Sequence, residues 1–172
     1  MRITKTILLL TSLTLTAPFA LTACGGSHGK PKMAAVKPGN MPSGAVWDGV
    51  YFNPLWGNLH IVADGNTFKG RWKRTDDSAW GEMKGKLTGN VARFEWIEHK
   101  VGLVGPASMT KGHGYFRYVR PKGDNMDDKL LGEWGFEDAE VGGGEWDSVK
   151  QRNKKPDIDS IKGEGDDVNT WR

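Results

Sequence analysis

Between residues 45 and 152 apolar and polar side chains alternate with a period of two, and the apolar phase interleaves glycine with Trp, Tyr and Phe. A period of two puts alternate side chains on opposite faces of a strand, whereas a helix needs a period near 3.6. This stretch must therefore build its core from strands. Eight runs carry the pattern: Ala45–Phe52, Trp56–Ala63, Thr67–Arg74, Ala79–Leu87, Val91–His99, Gly112–Val119, Leu130–Phe136 and Glu145–Gln151. Turn chemistry separates them, as in Asn53-Pro54, Asp64-Gly65-Asn66, Asp76-Asp77-Ser78, Gly89-Asn90 and Pro121-Lys122-Gly123-Asp124. The one long irregular link runs from Lys100 to Lys111.

Eight strands on short links predict an all-β fold, an antiparallel eight-stranded up-and-down meander. Closing such a sheet into a small barrel removes its exposed edges. One phase holds Trp47, Gly49, Tyr51, Leu59, Ile61, Phe68, Gly70, Trp72, Gly81, Met83, Gly85, Leu87, Phe94, Trp96, Gly114, Phe116, Tyr118, Leu130, Gly132, Trp134, Phe136 and Trp146. The other holds Lys69, Arg71, Lys73, Glu82, Lys84, Lys86, Arg93, Glu95 and Arg117. A membrane-spanning barrel has the reverse phase, because Arg or Lys facing lipid at mid-depth costs about 2–4 kcal/mol. The charged phase therefore faces water.

Seven of the eight tryptophans fall between 47 and 146. Glycine beside a large ring leaves room for it and lets a strand bend. Trp47, Tyr51, Trp72, Trp96, Trp134 and Trp146 are expected inside. There they either fill the core or line a cavity for a small hydrophobic ligand. Trp56, Trp80 and Tyr115 fall on the opposite phase and are the candidate partner-binding aromatics, since exposed Trp and Tyr mark recognition surfaces.

The first 23 residues have Arg2 and Lys5 as their only charges, then a mostly apolar stretch from Ile7 to Leu21. That length suits a signal-peptide core and is short for a membrane span of about 20 residues. It ends in Leu21-Thr22-Ala23-Cys24, and Cys24 is the only cysteine. This segment resembles the leader and lipobox of bacterial lipoproteins. The resemblance implies cleavage after Ala23, lipidation of Cys24 as the mature N-terminus, and a lipid anchor in a membrane of the cell envelope. Gly25 stands where an Asp would signal inner-membrane retention in Gram-negative relatives, so the resemblance implies the outer membrane in such a cell.

Residues 24–44 contain Pro31, Pro38, Pro42 and three lysines without an acid, and read as a flexible tether. Residues 45–152 hold 15 basic and 16 acidic side chains, which leaves no electrostatic case for nucleic acid. Residues 153–172 are expected to form a disordered polar tail.

The residue types that carry catalysis are scattered. No Gly-x-Ser-x-Gly elbow occurs. His28, His60, His99 and His113 have no zinc-ligand spacing. Glu95 and Glu98 lie on opposite faces of one strand, with Glu98 expected to reach water at the strand end. No catalytic residue, metal or cofactor is expected. The Trp-Gly and Gly-x-Trp steps resemble those of Trp/Gly-rich meander domains in bacterial exported proteins, and more distantly avidin-like and lipocalin-like barrels. The likeness is architectural and transfers no ligand. The expected protein is a non-catalytic envelope lipoprotein that presents its barrel to an envelope protein or cell-wall partner. The alternative is a carrier of a small molecule or lipid in the barrel cavity.

Overall fold

The computed structural model describes residues 30–123 and 125–161. The strands are β1 (Gly49–Asn53), β2 (Gly57–Asp64), β3 (Thr67–Lys73), β4 (Ala79–Thr88), β5 (Val91–Lys100), β6 (Met109–Val119), β7 (Lys129–Phe136), β8 (Gly144–Glu145) and β9 (Ser148–Lys150). Each of β1 to β7 pairs antiparallel with the next, and β9 pairs with both β7 and β1. The fold is all-β, a closed antiparallel eight-stranded barrel, with the two-residue β8 lying along β7. Its upper end carries the β1–β2, β3–β4 and β5–β6 turns and the β7–β8 connection. Its lower end carries the β2–β3, β4–β5 and β6–β7 turns.

The buried set follows the period-two phase: Tyr51, Leu59, Ile61, Phe68, Trp72, Met83, Phe94, Trp96, Phe116, Tyr118, Leu130 and Trp146 form one cluster, whereas Phe136, expected on the same phase, is 52% exposed because β7 ends there. Rings sit opposite glycines on neighbouring strands, with Trp72 facing Gly81, Phe94 facing Gly85 and Gly114, Trp96 facing Gly112, and Phe116 facing Gly132. At Gly81 the fit is tightest, because a Cβ there would overlap the Trp72 indole.

Closure rests on the short β9. Tyr51 pairs with Lys150 and Phe52 with Val149 on one side, while Leu130 pairs with Ser148 on the other. Side chains reinforce this seam at the lower end. The Lys150 ammonium donates to Val46 O at 2.6 Å and lies over the Tyr51 and Tyr118 rings at 5.4 and 5.5 Å. The Tyr118 hydroxyl donates to Asp128 at 2.6 Å, and Arg120 grips the same carboxylate at 2.7 and 2.8 Å. Burial holds Lys150 below the usual lysine range and pushes Tyr51 and Tyr118 well above the usual phenol range. The Arg120 hydrogen bonds hold Asp128 below the usual carboxylate range.

The structure departs from the expected boundaries for local reasons. The first strand begins at Gly49 instead of Ala45, because residues 42–45 form a turn and Asp48 spends its carboxylate on Ala63 N. The last expected strand is split at Trp146-Asp147. There Trp146 N donates to Gly132 O while the Asp147 carboxylate accepts from Gly132 N, so a side chain replaces the next rung of the ladder. The β6 strand starts at Met109, three residues early, and shortens the long β5–β6 loop.

Two segments expected to be flexible are packed on the barrel. Within the tether, Lys32 O accepts from Glu140 N at 2.8 Å, Ala34 N donates to the Glu140 carboxylate at 3.0 Å, and Gly39 pairs with Asn90. Arg93 bridges these contacts, pairing with Glu140 and donating to the carbonyls of Ala34 and Val36. Within the tail, Asp157 N donates to His60 Nδ1, Arg71 donates to Ile161 O, and Ile161 is buried. Polar composition masked both, because each is held by distant side chains and not by an apolar core of its own. Residues 1–29 and 162–172, including the leader, Cys24 and Trp171, lie outside the described residues.

Two outcomes follow for stability. Gly81→Ala is expected to destabilise by about 1–3 kcal/mol through overpacking against Trp72; a urea midpoint unchanged from the parent would mean the ring is not pressed on that glycine. Asp128 has a depressed folded-state pKa, so its contribution is complete above the ordinary carboxylate pKa of about 4 and is lost as pH falls through the folded value. Asp128→Asn should flatten the acid side of a stability–pH curve measured between neutral and about pH 3.

Candidate functional site

Five of the six rings expected inside are buried, and the sixth, Trp134, packs partly buried against them. Trp47 meets Tyr118 edge-on at 5.4 Å, Trp72 meets Trp146 at 5.0 Å, Trp96 meets Trp134 at 5.4 Å, and the Tyr51 hydroxyl donates to Trp47 O at 2.7 Å. Edge-to-face contacts of this kind are favoured by the ring quadrupole. Four buried polar atoms within this core have no hydrogen-bond partner: the indole nitrogens of Trp72, Trp134 and Trp146, and the Ser148 hydroxyl.

The three expected outward aromatics are not brought together. Trp56 is inside, 6% exposed and stacked on Trp146 at 4.7 Å. It lies in the turn before β2 and not in the strand. Gly57, at φ 73°, turns the chain there, so the strand phase does not reach back to Trp56. Trp80 does lie on the outer face, half-buried and stacked on His99 at 4.2 Å with the rings 11° apart. Arg71 approaches the same indole at 6.0 Å. Tyr115 is also on the outer face and half-buried, its hydroxyl donating to Glu133 at 3.4 Å. Burial, with the Glu133 charge behind it, raises its pKa. Trp80 shares a cross-strand row with Lys73, His99 and Met109, whereas Tyr115 shares one with Lys86, Arg93 and Glu133. Those rows are six residues apart along β4, roughly 20 Å.

Glu98 is not in water either. It faces inward near the upper end and takes a two-pronged hydrogen bond from Arg74 at 2.9 and 2.8 Å. Arg74 in turn lies over the Trp56 ring at 4.5 Å. This stack of ring, guanidinium and carboxylate caps the upper end of the core.

The outer face of β3, β4 and β5 holds a feature the strand pattern does not announce. Two cavities of about 680 and 430 Å³ share Lys69, Lys84 and Glu95. The larger reaches Pro38 and Glu140, beside the N-terminal segment, and the smaller reaches Ile158 and Asp159, on the C-terminal one. The two terminal segments are thus the walls of a groove across the sheet. Its floor sets Lys69 directly opposite Lys84 and Lys86 opposite Arg93. Like charges so placed repel. Lys84 is relieved by Glu95 at 3.3 Å and Arg93 by Glu140. Lys69 and Lys86 have no acidic partner among the described residues. The one advance sign of this groove was the row of lysines on the polar phase; its walls depend on contacts more than 50 residues apart in sequence.

Among the described residues no three His, Cys, Asp or Glu side chains converge as a metal site requires, and no helix is long and apolar enough to cross a membrane. No family model, curated protein or solved structure matches the chain. The site therefore has to be read from its own chemistry.

The two tryptophans of the Trp-Gly steps make opposite predictions. Trp56→Ala should cost about 3–5 kcal/mol, as a core ring does. Trp80→Ala should cost under about 1 kcal/mol, as an outer-face change does. Urea unfolding of both variants checks this, and equal losses would contradict the inside–outside assignment.

Proposed function

We propose that this protein is a non-catalytic envelope lipoprotein, anchored through lipid on Cys24, that offers the outer face of its barrel to another envelope component. The observation that carries the reading is the run Leu21-Thr22-Ala23-Cys24 after a basic start and an apolar core, with no second cysteine in the chain. A single acyl chain anchors only marginally, and stable attachment takes more than one signal. Lipoproteins of the resembled kind carry several chains. In this reading the outer-face groove is the contact surface, and its partner-free Lys69 and Lys86 suit an acidic segment of an envelope protein or cell-wall polymer.

A second reading keeps the barrel as a carrier of a small hydrophobic ligand. The buried donors of Trp72, Trp134, Trp146 and Ser148 favour it, because a polar group on a ligand would satisfy them. The ring contacts those indoles make, Trp72 with Trp146, Trp134 with Trp96 and Trp146 with Phe116, weigh against it.

Cys24→Ser should move the protein from the membrane fraction to the soluble fraction or leave an uncleaved precursor. Mass spectrometry of the parent should show the Cys24 lipid, and an unmodified thiol there would refute the anchor. Lys69→Glu with Lys86→Glu should abolish cross-linking to envelope partners while changing the unfolding free energy, read from urea unfolding, by no more than about 0.5 kcal/mol. Unfolding of the native extract tests the second reading, which requires a reproducible small molecule to be released.

A further inference from the structure

The β5–β6 loop is the least protein-like surface of the barrel. The loop and the first two residues of β6, Val101 to Thr110, contain no charged residue, and Lys100 and Lys111 flank the stretch. Val104 is 94% exposed and Leu103 and Met109 more than half exposed. Leu55 on the β1–β2 turn and Phe136 at the end of β7 are exposed at the same end. Apolar side chains grouped at one end of a domain mark a protein or membrane contact.

Two observations select a membrane. The energetic hot spots of protein contacts favour Tyr, Trp and Arg and under-use Leu and Val, whereas the Leu103-Val104 tip is aliphatic. The chain itself also points there. Gly39 lies against Asn90 at the lower end, Val36 and Ala34 lie against Arg93 three residues up β5, and Lys32 lies beyond them against Glu140, still short of the His99–Met109 row that borders the loop. Followed toward its N-terminus, the segment climbs toward the end that carries the loop. Cys24 is eight residues before Lys32, a reach of at most about 28 Å.

We infer that the β5–β6 loop inserts its Leu103-Val104 tip into the lipid surface, so that the barrel stands on the membrane by its upper end. The inference rests on the lipid anchor proposed above. The flanking lysines then sit at headgroup depth, where long basic side chains reach the interface from an apolar neighbour. The same end also carries Asp76, Asp77, Glu137 and Asp138, with Asp77 paired to Lys73 and Glu137 near Lys111. Apolar burial and not net charge therefore drives the contact, and neutral lipid should suffice.

The test uses the full protein extracted from membranes and reconstituted in phosphatidylcholine vesicles. A nitrobenzoxadiazole probe is placed on Val104→Cys, and in a second sample on Val46→Cys at the lower end. The probe at 104 should shift to the blue and be quenched by lipids brominated along their tails, while the probe at 46 reads water. Leu103→Asp should remove both signals at 104. Equal, water-like emission at 104 and 46 in protein whose Cys24 carries lipid overturns the inference and leaves the anchor standing. A free Cys24 thiol, itself open to the label, refutes the anchor. In that case a blue shift at 104 on adding vesicles, measured with Cys24 blocked, still supports insertion, and its absence overturns it.

Discussion

A large ring needs a hole, and in this barrel the hole is a missing Cβ on the next strand. Trp72 over Gly81, Trp96 over Gly112 and Phe116 over Gly132 each set bulk against absence across a ladder. Much else follows from that complementarity. Register is the first consequence. A one-residue slip would turn every ring outward. A two-residue slip of β3 against β4 keeps the phase but sets Gly70 opposite Gly81 and Phe68 opposite Met83, pairing gap with gap and bulk with bulk. The observed register is the one in which each ring has its space.

Both ends of this packed interior are finished by cation–ring contacts. Arg74 lies over Trp56 at the top, and Lys150 over Tyr51 and Tyr118 at the bottom. Each cation has its own oxygen partners, Glu98 for Arg74 and the Val46 carbonyl for Lys150. Desolvation of the charge is thereby offset at the rim, where water and core meet. The core is sealed by amphipathic side chains and not by an added helix or lid among the described residues.

Strand positions and the inward set were legible because period two is a local signal that every strand repeats. What escaped was whatever a distant residue decides. Asp147 interrupts the final strand because its carboxylate reaches Gly132, fifteen residues back. Trp56 turns inward because Gly57 takes a left-handed conformation that the alternation does not encode. The polar composition of the terminal segments predicts loose chains, yet Arg93 with Glu140 clasps one and His60 with Arg71 receives the other. The groove those segments wall is therefore not encoded in the alternation, although its lysine floor is.

The closing seam sets an order of events. Tyr51 and Lys150 stand 99 positions apart, and β9 supplies only three residues to hold β1 and β7 together. Until that last strand has been delivered, β1 and β7 are open edges with unpaired backbone groups. A chain made from its N-terminus can therefore form the meander early but cannot finish the cylinder until β9 has emerged. Such non-local pairing makes folding slow. On the export proposed above, the same delay would keep the cylinder open until β9 itself had passed.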